Sequence, residues 1–79
     1  MSVPFDKLLV VDIEATCWAK APPKDEISEI IEVGIAIVDI KNWVVDRGQS
    51  VYVKPVKSKV STFCTELTGI TQELVDTKG

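Results

Sequence analysis

The segment from Ile27 to Ile40, ISEIIEVGIAIVDI, limits the fold more than any other part of this chain. Read as a strand, it alternates with period two. Ile31, Val33, Ile35 and Ile37 then line one face, and Ile30, Gly34, Ala36 and Val38 line the other. Both faces are apolar, as in a central strand covered on both sides. The small pair Gly34 and Ala36 lets something pack closely on its own face. The 79 residues make at most one small domain. Its own short helical segment can cover one of these faces and hardly both. The isolated chain is therefore expected to fold poorly as a monomer, or to cover the other face with a missing C-terminal half or a second copy of itself.

The flanking segments complete a sheet. Lys7 to Ile13, KLLVVDI, has the length and Leu/Val content of a buried strand. CWAKAPPKDE follows, and Pro22 and Pro23 make it a surface loop. DIKNW supplies turn residues Asp39, Lys41 and Asn42. Val44 to Lys54 reads as a third strand, paired with the second as a hairpin, with Gly48 marking a bulge and Pro55 ending it. Ser61 or Thr62 can cap a short helix that Gly69 terminates in the left-handed conformation, and Thr71 caps a second start. The expected architecture is α/β: a three-stranded meander followed by one or two short helices.

Composition excludes several classes. A net charge of −3 argues against a domain that grips nucleic acid by charge alone, though not against one that meets phosphates through metal ions. There is no histidine and no CxxC pair, so a zinc site is not expected. Cys17 and Cys64 read as reduced thiols. MSVPFDK has no apolar signal region, and no apolar run approaches the roughly 20 residues that span a bilayer. A soluble, cytoplasmic protein without membrane contact is expected.

LLVVDIEATCW contains the chemistry. Asp12 and Glu14 stand two apart on a strand, so both carboxylates point to one face about 6.5–7 Å apart along the backbone. An ionised carboxylate beside buried strand is costly unless compensated, and paired oxygen ligands suit a hard cation such as Mg²⁺ or Mn²⁺. Ala15 and Thr16 are small residues where a substrate could approach. Glu32, on the neighbouring strand, reads as an exposed structural glutamate.

Four blocks in order, VVDIEATCW, EIIEVGIAIVD, YVKP and FCTELTGITQELVD, resemble the N-terminal part of the DEDDh 3′–5′ exonucleases, most nearly the histone-mRNA 3′ exonuclease branch. The resemblance runs from about Leu8 to Asp76. It implies a ribonuclease H-like exonuclease fold, of which residues 1–79 form the first half of a single domain. It further implies that Asp12 and Glu14 are catalytic and supply two of the four acidic ligands of a two-metal (Mg²⁺ or Mn²⁺) site. Leu67, Thr68, Gly69 and Ile70 match the segment that lines the terminal-nucleotide pocket. The implied reaction is hydrolysis of single-stranded or 3′-overhanging nucleic acid from its 3′ end, RNA more than DNA.

The departures are as specific as the matches. The family's second and third motifs supply a further aspartate, then a histidine and a last aspartate. This chain has no histidine, and Asp39, Asp46 and Asp76 sit in turn or tail contexts that match neither motif. The 79 residues alone are expected to be inactive. Two other readings compete. A D-x-G-x-T phosphate loop is disfavoured because Glu14 occupies the glycine position and would repel phosphate. A truncated fragment without activity, or a small strand-rich binding module, agrees with the missing histidine.

Overall fold

A computed structural model describes residues 6–79, apart from the side chain of Arg47. The N-terminal stretch read for a signal region lies largely outside the described residues. Three strands, β1 (Lys7–Ala15), β2 (Ile30–Asp39) and β3 (Val44–Tyr52), precede two helices, α1 (Thr62–Thr68) and α2 (Gln72–Lys78). The sheet order is β1-β2-β3, with both pairings antiparallel. This is the expected meander with β2 in the centre.

Strand boundaries differ from the sequence reading in an informative way. β1 runs two residues past Ile13 to Ala15, so both Asp12 and Glu14 lie on the ladder. β2 begins at Ile30 rather than Ile27. Residues 27–29 are braced instead by side chains: the Ile27 amide donates to Ser58 Oγ (2.8 Å) and the Glu29 amide to Thr16 Oγ1 (2.8 Å). β3 stops at Tyr52, two residues before Lys54, although the Val53 amide still donates to the Ile31 carbonyl at 2.8 Å.

Two irregularities shape the sheet. Gly34 pairs with Ser50 and Ala36 with Arg47, so Gly48 and Gln49 together oppose Ile35. That is the bulge expected at Gly48, where an added Cβ would lie 3.3 Å from the Ile35 carbonyl oxygen. The other lies where Glu14 pairs with Glu32 and Ala15 with Ile30, leaving Ile31 as the extra residue. The hairpin turn is held by Asp39, whose Oδ1 accepts from the Lys41 and Asn42 amides. Trp43 completes it at φ 54°, an unusual conformation for a bulky residue.

Each helix has only 7 residues, too short to persist alone. Their caps compensate in part. Ser61 Oγ accepts from the Cys64 amide, Gly69 takes φ 80° and returns its amide to the Thr65 carbonyl, and Thr71 Oγ1 accepts from the Leu74 amide. Burial does the rest. Cys64, Ile70 and Val75 enclose Ile31 in a small core, with Cys17, Tyr52, Val60 and Leu74 packed around it.

That core occupies one end of the sheet, so the helices cover neither apolar face of β2 along its length. On the face of Ile31, Val33, Ile35 and Ile37, Ile31 is fully buried, but Ile35 and Ile37 remain 41% and 40% exposed. Their ladder neighbours Leu9 and Val11 are exposed too, and on the opposite face so are Leu8, Val10 and Val45. The radius of gyration is 16.2 Å, against about 12 Å for a compact domain of this length. The accessible surface of 6099 Å² exceeds the roughly 4,700 Å² of a compact monomer of this mass. The excess is larger than the roughly 800 Å² one partner gives to a standard interface. The 79-residue chain is therefore expected to self-associate or to melt without a sharp transition. Sedimentation velocity over a hundredfold concentration range, with thermal unfolding, checks this. A monomer throughout that unfolds cooperatively above about 60 °C would show that these faces need no cover.

Candidate active site

Asp12 and Glu14 owe their common direction to the strand repeat and their setting to the register. Asp12 lies opposite Gly34 and Glu14 opposite Glu32, so all four residues belong to one sheet face. Gly34 places no side chain beside Asp12, and Ala36 and Gly48 add little more. The result is a recess of about 520 Å³, lined by Val10, Asp12, Gly34, Ala36, Gly48 and Ser50 among others, within the size range of ligand sites. Asp12 is exposed at its edge and Glu14 is half-buried.

Glu32 is better placed than the sequence reading allowed. It is half-buried, directly across the ladder from Glu14, and its Oε2 accepts a 2.6 Å hydrogen bond from Ser50 Oγ. Like charges facing each other across a ladder destabilise it, and the Ser50 hydroxyl offsets part of that cost. Among the described residues, no three His, Cys, Asp or Glu side chains gather closely enough to hold a metal ion. Asp12 and Glu14 thus present two hard oxygen donors on one face, a donor chemistry that fits Mg²⁺ or Mn²⁺ and falls short of the usual ligand number.

The other predicted site residues divide into framework and surface. Thr16 is buried, with its Oγ1 donating to the Ile27 carbonyl (3.1 Å) and accepting from the Glu29 amide. Ala15 closes the ladder, and its carbonyl accepts from Cys64 Sγ at 3.5 Å. Ile70 is core, and Thr68 Oγ1 donates to the Cys64 carbonyl and accepts from the Ile70 amide. Leu67, at 69% exposure, and the open side of Gly69 are what this segment shows to solvent. Cys17 lies against the same framework. Burial, the Cys64 side chain and the Glu14 charge hold its thiol above the ordinary range.

A carboxylate that looked unremarkable in the sequence organises this framework. Glu29 accepts from the amides of Val56 (2.9 Å), Lys57 (3.0 Å) and Ser58 (2.6 Å), closing the loop after β3 onto the start of β2. Nothing local in SEIIE distinguishes Glu29 from its neighbours, because its partners lie 27 to 29 residues away.

This antiparallel meander, with paired carboxylates on one face and short capped helices at its end, has known counterparts. Residues 9–79 match the family model described as Exonuclease, of the RNase T type. The Drosophila melanogaster "3'-5' exonuclease Snipper" is 43% identical over 75 residues, 92% of this chain and 27% of the relative. The Homo sapiens "3'-5' exoribonuclease 1" is 36% identical over 73 residues, 91% of this chain and 21% of that protein. Among solved structures, the nuclease domain of 3'hExo, a DEDDh family member bound to rAMP, superposes with a TM-score of 0.82 at 33% identity. That match covers 99% of this chain and 39% of that one. A 3'-exonuclease recognising the histone mRNA stem-loop gives 0.80 at 33%, over 98% of this chain and 34% of that one. The chain belongs to this exonuclease family, and its fold is that of the DEDDh structures. It spans at most about a quarter of the length of the curated relatives named here.

The Glu29 clasp has a pH signature. Hydrogen bonds from Val56, Ser58 and Lys57 lower the carboxyl below its usual 4.5. Its contribution to stability is therefore present above that value and is lost as pH falls through the lowered one. The amide resonances of Val56, Lys57 and Ser58 should titrate together with a midpoint below 4.5, and Glu29→Gln should abolish that shared titration. Three unrelated midpoints, or a common one above 4.5, would contradict the clasp.

Proposed function

We propose that this chain is the N-terminal portion of the catalytic domain of a metal-dependent 3′–5′ exonuclease. The observation that carries the reading is the placement of Asp12 and Glu14 side by side on one sheet face, where Asp12 lines a recess together with Gly34 and Ala36. A phosphodiester cannot approach two carboxylates unaided, because the charges repel. The same pair binds and orients divalent cations, with Asp12 and Glu14 as two of their ligands. When bound, two such ions supply an activated water and stabilise the leaving oxygen.

The rest of the chain's part is positioning. The small residues Gly34, Ala36 and Gly48 let a sugar-phosphate backbone approach the strand, and exposed Leu67 beside Gly69 offers an apolar surface to a terminal base. RNA is the better substrate than DNA on this reading. Its support is that the solved relatives carry rAMP or recognise a histone mRNA stem-loop. Single-stranded or 3′-overhanging ends are the expected form. The remaining acidic ligands and a histidine base would come from further polypeptide, which the greater length of the relatives accommodates. The cytoplasm, where thiols stay reduced, is the proposed compartment. A non-catalytic binding module is the second reading, favoured by the absence of a third ligand among the described residues.

Nuclease assays separate the two. In a protein extended to the length of its relatives, Asp12→Ala and Glu14→Ala should each reduce cleavage at least about a hundredfold. The 79-residue chain alone should be inactive and bind Mn²⁺ more weakly than the extended protein. Oligonucleotides labelled at either end report direction. An extended protein that degrades RNA normally with either acid replaced would refute the assignment, and one with no activity at all would favour the binding module.

A further inference from the structure

We propose that Cys17 and Cys64 are a redox pair, able to form a reversible disulfide that locks the end of the acid-bearing strand to helix α1. Both are free thiols. Cys64 is fully buried in the core, and half-buried Cys17 packs against that core from the loop after β1. Ser61 joins their backbones: its Oγ donates to the Cys17 carbonyl at 2.6 Å and accepts from the Cys64 amide at 3.0 Å. Cys64 Sγ lies 3.5 Å from the carbonyl of Ala15, two residues before Cys17, so its thiol is aimed at the segment that carries Cys17. A disulfide needs Cα atoms roughly 4.4–6.8 Å apart with side chains turned together; the shared Ser61 hydroxyl and the packing of Cys17 against the core that holds Cys64 make the two segments neighbours.

The half-exposed sulfur is the point of entry, since reagents reach Cys17 before the enclosed Cys64. Because burial, Cys64 and Glu14 raise that thiol above the ordinary range, its thiolate forms toward alkaline pH, where the oxidation is run. With hydrogen peroxide as oxidant, the Cys17 sulfur attacks one peroxide oxygen and the O–O bond breaks. This leaves a sulfenic acid at Cys17 and releases one water. The Cys64 sulfur then attacks the Cys17 sulfur, the S–O bond breaks, and the hydroxyl leaves with the Cys64 proton as a second water. Two thiols have lost two electrons and two protons, and a dithiol returns both. Oxidation also removes the Cys64 S–H from the Ala15 carbonyl, one residue beyond Glu14. The tie between β1 and α1 thereby passes from a weak hydrogen bond to a covalent bond. The crosslink does not depend on the nuclease reading.

Peptide mapping tests it. After peroxide treatment, alkylation of remaining thiols and non-reducing digestion, mass spectrometry should find Cys17 and Cys64 in one linked peptide, two hydrogens lighter than the sum. Dithiothreitol should release it, and Cys17→Ser should abolish it while leaving Cys64 as an alkylatable thiol. Cys64→Ser replaces a core residue and can fail by unfolding, so Cys17→Ser, at the half-buried position, is the decisive control. Both cysteines fully alkylated after peroxide would overturn the pair. So would sulfinic acid at Cys17 without the linked peptide, or linkage only between copies.

Discussion

Everything in this structure depends on the register of β1 against β2. A shift of one residue would carry Asp12 and Glu14 to the opposite face and exchange them for Val11 and Ile13. Thr16 fixes that register just past the ladder. Its amide donates to the Glu29 carbonyl at 2.8 Å, and its hydroxyl engages Ile27 and the Glu29 amide. Glu29 in turn gathers the loop after β3, and Ser58 ties that loop back to Ile27. A buried threonine hydroxyl with both donor and acceptor roles used is directional in a way apolar packing is not. The paired carboxylates share the face that carries the recess because this polar junction admits one alignment.

The apolar interior is small and eccentric by comparison. Ile31, Cys64, Ile70 and Val75 hold the helices to one end of the sheet, while Ile35, Ile37, Leu9 and Val11 stay in contact with water. Burial contributes about 25 cal/mol per Å² of apolar surface, so the stability available to the chain rises steeply with whatever covers those faces. The exposed sheet also carries Asp12 and Glu14 on one face and Leu9 and Val11 on the other.

Much of this was legible in the residues. The two-faced alternation of β2, the hairpin turn at Asp39 to Asn42, the bulge at Gly48 and the caps at Ser61, Gly69 and Thr71 all follow from local chemistry, and the structure has each of them. Asp12 and Glu14 were visible for the same reason, since i and i+2 on a strand share a face. The positions that escaped are those whose partners are distant. Glu29 resembled any surface glutamate until Val56 to Ser58 came to it. Glu32 looked merely exposed until its place opposite Glu14 and its bond from Ser50 were seen. Thr16 and Ile70 read as contact residues, yet their side chains serve the framework first. Periodicity specifies which face a residue takes, but not what the rest of the chain brings against that face.

The central claim is that Asp12 and Glu14 act together as a cation half-site on the β1–β2 face. Substoichiometric Mn²⁺ added to ¹⁵N-labelled protein tests it directly, because the ion broadens the amide resonances nearest to it. Broadening should centre on Asp12, Glu14, Glu32 and Gly34, vanish in Asp12→Asn, and spare Asp39, Asp46 and Asp76. Broadening spread evenly over all the acidic residues, or centred on the turn or the C-terminal helix, would contradict the account.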